Sequence, residues 1–354
     1  MTVAAIRSFL LALASGVALA ACSQGDDAAD GGNGADGQGQ VNLYTARPYD
    51  GDQALYDRFA RETGIRVNLI SGDADDLIAR MRSEGARNAA DLFVTADAGA
   101  LHRAEQAGLF QPIRSETIEQ RIPVNLREPS GLWTGFMRRA RVVAYDSNRV
   151  REDEVERYEQ LASPRFRRKL CAGSADDIHT RSLVGALIEV WGPEKTLGWA
   201  RGIVANMARA PQGDDRARIH AVNAGLCEIA LTDSHHYIRM ASGADAAERA
   251  ITEKVQLGFP SLDGQGSHIN VSGGGVVANA PHRDNAIRLL EFLTDPATQE
   301  DISADTNEYP ASPTVTAPPR VAGYTGFQPH PMPVANFAKR EAEAQGIMAA
   351  AGWR

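Results

Sequence analysis

From Val41 onward the chain repeats one local unit: a short apolar run, a turn, and a segment with helical apolar spacing. That alternation constrains the fold most, because strands separated by helices line up in parallel with the helices packed on the sheet. Val41-Asn42-Leu43-Tyr44 alternates like a strand, Arg47 to Asp52 reads as a turn, and Leu55, Tyr56 and Phe59 give the next helix its apolar face. Gly64 stands where helices commonly stop, since glycine adopts the left-handed backbone freely. Val67 and Leu69 mark a second strand, and Leu77, Ile78 and Met81 a second helix. Leu92-Phe93-Val94 reads as a buried strand, with Asp97 capping a helix that runs to Ala107 and Gly108.

A second series starts at Arg141-Val142-Val143-Ala144-Tyr145. It continues through Leu170-Cys171-Ala172, helices over residues 183–190, 196–206 and 219–224, and a late strand over 227–231. A glycine-rich segment, 264–275, then leads into a strand over 275–278 and a helix carrying Ala286, Leu289, Leu290, Phe292 and Leu293. Gly273-Gly274-Gly275 reads as a hinge or a close backbone approach, because no Gly-Lys-Ser/Thr follows and the run precedes a strand. Residues 310–333 are proline-rich and irregular, and 334–350 form a closing helix. The fold class is α/β, and 354 residues suit about two domains.

The candidate chemistry concentrates after the late strand, at Asp233-Ser234-His235-His236-Tyr237. Asp233 and Ser234 look like a helix N-cap, so the histidines stand where a strand hands over to a helix. Open α/β sheets hold their ligands at such carboxyl ends of strands. Successive helical residues point about 100° apart, so His235 and His236 share one ion only near an irregular junction and with help from elsewhere. Taken alone, the pair reads equally as a solvated cap.

The net charge of −8 offers no basic footprint, so nucleic acid is not an expected partner. The chain has no His-Glu-x-x-His run and no Gly-x-Ser-x-Gly elbow, and no enzyme activity is expected. Arg7 followed by an apolar stretch from Phe9 to Leu19 reads as an export signal over residues 1–21. Its end, Leu19-Ala20-Ala21-Cys22, resembles the bacterial lipobox, in which the cysteine becomes the lipidated first residue. Lipidation of Cys22 would anchor the protein to the membrane without spanning it. Residues 22–40 lack large apolar side chains and read as a flexible tether.

Several runs in order carry a resemblance. They are Leu43-Tyr44-Thr45-Ala46-Arg47-Pro48-Tyr49-Asp50, Glu62-Thr63-Gly64-Ile65-Arg66-Val67, Ala90-Asp91-Leu92-Phe93-Val94-Thr95, Glu105-Gln106-Ala107-Gly108-Leu109 and Arg139-Ala140-Arg141-Val142-Val143. Further on come Gly266-Ser267-His268-Ile269-Asn270-Val271-Ser272-Gly273 and Asn307-Glu308-Tyr309-Pro310. Nearly all of the chain from Val41 resembles the ferric-iron-binding proteins of bacterial ABC importers. The resemblance implies a two-lobed periplasmic binding protein of class II type, with lobe 1 over 41–138 and 272–309 and lobe 2 over 139–271 and 310–354. It also implies a monomeric receptor in the periplasm that carries an iron ion, Fe2+ or Fe3+, to an ABC permease in the inner membrane, with no organic cofactor.

In that family two adjacent tyrosines bind iron in a run like Asn-Thr-Tyr-Tyr-x-x-Arg. The matching run here is Asp233-Ser234-His235-His236-Tyr237-Ile238-Arg239, with histidine at both positions. A run like Ile-Tyr-Asn-Gln-Ser-Leu supplies a further tyrosine, and here it is Ile178-His179-Thr180-Arg181-Ser182-Leu183. The family's His-Tyr-Asp in the first loop is Pro48-Tyr49-Asp50, which keeps only the tyrosine. The resemblance therefore implies a metal site of Tyr49, His179, His235 and His236. Phenolates suit Fe(III), whereas neutral imidazoles suit divalent Fe, Zn, Cu or Ni, so a preference for Fe(II) is expected. Alternatives are zinc or another divalent ion, or a metal chelate or organic anion on the same scaffold.

Arg47 and Arg209 are candidates for a companion anion or a supporting contact, and Tyr237 would replace a neighbouring ligand if the register shifts by one. His268 is expected to make a structural hydrogen bond, and His102, His220, His282 and His330 to be solvated. Cys171 and Cys227 each lie on an expected strand of lobe 2, and export favours a disulfide between them.

Overall fold

The computed structural model describes residues 39–47, 49 and 51–354. The expected export signal, the expected lipidation site Cys22 and all but the end of the tether lie outside those residues. Gln40, assigned to the tether, already opens the first strand.

The strands are β1 (Gln40–Ala46), β2 (Arg66–Ser71), β3 (Leu92–Thr95), β4 (Thr134–Asp146), β5 (Leu170–Cys171), β6 (Ile229–Asp233), β7 (Val255–Gly258), β8 (Ile269–Val276) and β9 (Tyr309–Pro310). The helices are α1 (Asp52–Thr63), α2 (Ala74–Glu84), α3 (Ala98–Gln106), α4 (Glu116–Arg121), α5 (Tyr158–Leu161), α6 (Ile178–Asn206) and α7 (Asp215–Asn223). They continue with α8 (Ser234–Ser242), α9 (Ala246–Lys254), α10 (Arg283–Leu293), α11 (Pro296–Thr306), α12 (Pro319–Ala322), α13 (Val334–Ala338) and α14 (Glu341–Ala351).

The expected local units are present. Leu55, Tyr56 and Phe59 are the buried face of α1, and Gly64 ends it at φ 71°. Asp97 caps α3 by accepting from the Ala100 amide at 2.9 Å. β1 pairs in parallel with β2 and β3, and β5 in parallel with β6. The remaining order is mixed rather than purely parallel: β8 runs antiparallel to β3 and β4, and β4 antiparallel to β6 and β7. The cause is β4, a single 13-residue strand that serves both halves. Its stretch up to Ala140 pairs with β8, and from Arg141 it pairs with β6.

Three other expectations change in detail. The glycines at 273–275 lie inside β8, not ahead of a strand. They do mark a close approach: a Cβ at Gly273 would lie 2.6 Å from the Thr134 carbonyl oxygen, and one at Gly275 would lie 2.8 Å from that of Leu132. The helices expected over 183–190 and 196–206 form one run broken at Gly192, whose φ is 78°, next to Pro193; proline lacks the amide that would continue the ladder. The closing helix is two, α13 and α14, with Lys339 and Arg340 between them.

Cys171 and Cys227 are joined, with Cα atoms 5.9 Å apart across 56 residues of sequence. The bond ties β5, just upstream of α6, to the turn that enters β6. Around it Ile219, Val222, Tyr237 and Met240 form a core of their own. Replacing both cysteines by alanine should lower the unfolding free energy by about 2–4 kcal/mol, since the link restrains a long loop in the unfolded chain. Urea titration measures it, and an unchanged midpoint would contradict the structural role.

Candidate functional site

The site grows from the handover between β6 and α8. Asp233 holds the N-cap position of α8, but its side chain does not cap the helix. Its carboxylate accepts instead from Arg139 Nε at 2.9 Å and Arg141 Nη1 at 2.9 Å. Ser234 Oγ accepts from the Ala140 amide at 3.1 Å. The first turn of α8 is thereby fixed to β4. His235 is buried at 3% exposure, and its Nδ1 has no hydrogen-bond partner. The His236 ring lies 4.0 Å from the His235 ring, centroid to centroid.

Tyr49 comes from the loop between β1 and α1. Its ring meets His235 edge-on with centroids 6.3 Å apart, and the Arg47 guanidinium sits 4.3 Å above its centroid. Arg47 is itself buried, paired with Asp52 and with Glu308 at 2.9 Å. It thus supports Tyr49 and is neutralised within the fold.

His179 lies in the first turn of α6, where the Asp177 cap accepts from its backbone amide at 2.8 Å. Its Nδ1 is 3.0 Å from Asp233 Oδ2. The carboxylate thus holds the ring by one nitrogen and leaves Nε2 as its remaining donor. Among the described residues, no three His, Cys, Asp or Glu side chains are arranged to hold one metal ion. The structure brings His235 and His236 side by side with Tyr49 nearby, and holds the third imidazole, His179, against Asp233.

Tyr237 also departs from expectation. It is buried on the other core, where its hydroxyl donates to the Val255 carbonyl at 2.8 Å. One residue along a helix turns the side chain by about 100°, which carries Tyr237 away from the imidazoles. Arg209 faces the Gln212 side-chain amide, whose oxygen accepts from Nη1 at 2.8 Å once oriented to satisfy both groups. His268 makes the expected structural bond, with Nε2 2.8 Å from Ser182 Oγ. His330 is buried, not solvated, and His282 Nδ1 lies 2.9 Å from Asp91.

Behind these groups runs a buried line of alternating charge that composition did not reveal. Asp177, Arg218, Asp215, Arg141, Asp233, Arg139, Glu308, Arg47 and Asp52 pair successively. Carboxylates stand at both ends, so the line carries one more negative than positive charge. The sequence signal was Arg139 and Arg141 inside an otherwise apolar strand, since charges are rarely buried unpaired.

Burial holds the His235 imidazole well below its ordinary range, with His236 adding to the effect, and brings His236 down to about 4. Burial lowers His179 too. These imidazoles are neutral near pH 7, the form that coordinates metals. Burial would raise the Asp233 carboxyl, but His179, Arg141 and Arg139 hold it well below the usual range. Burial, then the Glu308 carboxylate, pushes the Tyr49 phenol up, so it carries its proton near pH 7. A cavity of about 910 Å³ opens beside Tyr49, at the ends of β1, β2 and β3, with Arg47, Arg103 and Arg181 in its wall. His179, His235 and His236 do not line it.

A family model described as a bacterial extracellular solute-binding protein matches residues 87–324. The iron uptake protein A1 of Synechocystis sp. is 40% identical over 336 residues, 95% of this chain and 93% of that protein. The chain belongs to the bacterial ferric-iron-binding protein family. This is a family of extracytoplasmic substrate-binding proteins of ABC importers, not of enzymes. Among its solved members, a Trichodesmium protein in complex with iron and citrate ligands is 43% identical, with a TM-score of 0.85 over 89% of this chain and 100% of that one. The ferric binding protein from Campylobacter jejuni is 30% identical, with a TM-score of 0.84 over 89% and 100%. The chain shares their two-lobed α/β architecture.

Proposed function

We propose that the protein is a receptor that captures iron outside the cytoplasm and delivers it to an ABC permease. Tyr49, His179, His235 and His236 are its protein donors, with Asp233 orienting the His179 ring through Nδ1. The observation that carries this reading is His235 Nδ1. Buried polar atoms are nearly always paired, yet this nitrogen has no partner, and it sits on a ring adjoining His236 and Tyr49. A buried imidazole nitrogen without a hydrogen-bond partner is a lone pair that a metal ion can accept.

The donor set favours Fe(II) over Fe(III). Imidazoles bring no negative charge, the raised phenol resists becoming phenolate, and the buried charge line leaves one excess carboxylate behind the site. A divalent ion is better compensated there than a trivalent one. Anaerobic calorimetry with Fe(II), run beside Fe(III) and Zn(II), should show Fe(II) bound most tightly. Tighter Fe(III) binding with an intense visible tyrosinate band would contradict the preference.

The 910 Å³ cavity favours a second reading, in which iron arrives as a chelate. It is far larger than one ion requires, and Arg47 Nε is buried without a partner in its wall. Lipid on Cys22 would keep the monomeric receptor at the membrane, and a lipid-bearing amino-terminal peptide in the mass spectrum tests that anchor.

A further inference from the structure

Helix α3 follows β3 in one half of the molecule, and α6 follows β5 in the other. Glu341, the first residue of α14, receives an arginine from each. Arg181 of α6 places Nε 3.1 Å from Glu341 Oε1, and Arg103 of α3 donates through Nη1 to Glu341 Oε2. The carboxylate is 13% exposed and the Arg181 side chain 12%. Glu341 also rests on the backbone of α3: a Cβ at Gly99 would lie 2.9 Å from Oε2. Glycine at that position is what admits the carboxylate.

We propose that Glu341 is a clasp between the two halves of the molecule and governs how long the cavity between them keeps its contents. α14 packs along α6, so on opening it travels with α6 while Arg103 departs with α3. Hinged receptors close by such movement of packed units. The Arg103–Glu341 contact is then made when the halves are together and broken when they part. It is a charge-assisted bond in a mostly dry setting, the stronger kind of hydrogen bond. Both arginines line the 910 Å³ cavity, so the contact lies in the wall that must separate. Neither residue belongs to the donor set, so loss of the clasp changes retention and leaves the iron environment alone.

The test uses the mature protein carrying Glu341→Gln, and separately Arg103→Gln. Small-angle scattering without ligand should show a larger radius of gyration for both variants than for the parent. Release of loaded iron to excess EDTA should be about tenfold faster, the equivalent of about 1.4 kcal/mol, with the absorption spectrum of the loaded protein unchanged. The double variant should be no more open than either single one, because both remove the same contact. Far-UV dichroism of the parent type confirms that each variant is folded. Unchanged radii in both single variants, or additive effects in the double, would overturn the clasp. The release measurement rests on the iron reading and the scattering does not, so the two can fail separately.

Discussion

Replacing His235 by alanine should weaken iron binding by at least about 100-fold while leaving a folded protein. Loss of a group that merely orients a metal ligand costs about 10–100-fold in affinity, and His235 is assigned to the metal itself. Its burial, its unpartnered Nδ1 and its place between Tyr49 and His236 make it the donor least replaceable by water. The stability cost should be smaller than for an apolar core residue of that size, because the substitution also removes a buried unpaired nitrogen. Calorimetry reads the affinity and thermal unfolding the stability. A variant that binds within threefold of the parent would remove His235 from the site.

Glu308→Ala should cost about 3–5 kcal/mol of stability, the range for breaking a buried ion pair from one side. Glu308 is fully buried and accepts from Arg47 Nη2 at 2.9 Å, Arg139 Nη1 at 3.3 Å and Ser272 Oγ at 2.8 Å. Without it the charges of the buried line would balance in number. The two guanidiniums it separates would nevertheless face each other across the gap. Arg47 would also lose the contact that steadies it above Tyr49, so iron affinity should fall with stability. Glu308→Gln keeps the shape and should cost less. Urea titration decides, and a loss below about 1 kcal/mol for the alanine variant would mean that the line is not a structural unit.

Elements with apolar spacing were legible because their signal is local. Leu55, Tyr56 and Phe59 on α1, and Leu77, Ile78 and Met81 on α2, specify their helices without reference to the rest of the chain. β8 begins six residues before the strand expected over 275–278, for the opposite reason. Asn270 and Ser272 are polar, yet they are buried there because Asn270 bonds Asp97 and Ser182, and Ser272 bonds Glu308. Partners so distant in sequence cannot be inferred from a window of a few residues.

The candidate site divides in the same way. The pairing of His235 with His236, and Tyr49 beside them, follow from the resemblance and from the strand-to-helix handover. The attachment of His179 to Asp233 was not legible, since an N-cap aspartate normally spends its carboxylate on the helix that follows. Here Arg139 and Arg141 pull that carboxylate back toward β4, and His179 finds it there.

X-ray absorption at the iron edge, on protein loaded and kept under anaerobic conditions, tests most directly whether imidazoles have replaced phenolates as the ligands of the ion. It should find multiple scattering from at least two imidazole rings, with oxygen completing the coordination. A coordination sphere of oxygen alone, with no imidazole scattering, would contradict the assignment of His235 and His236.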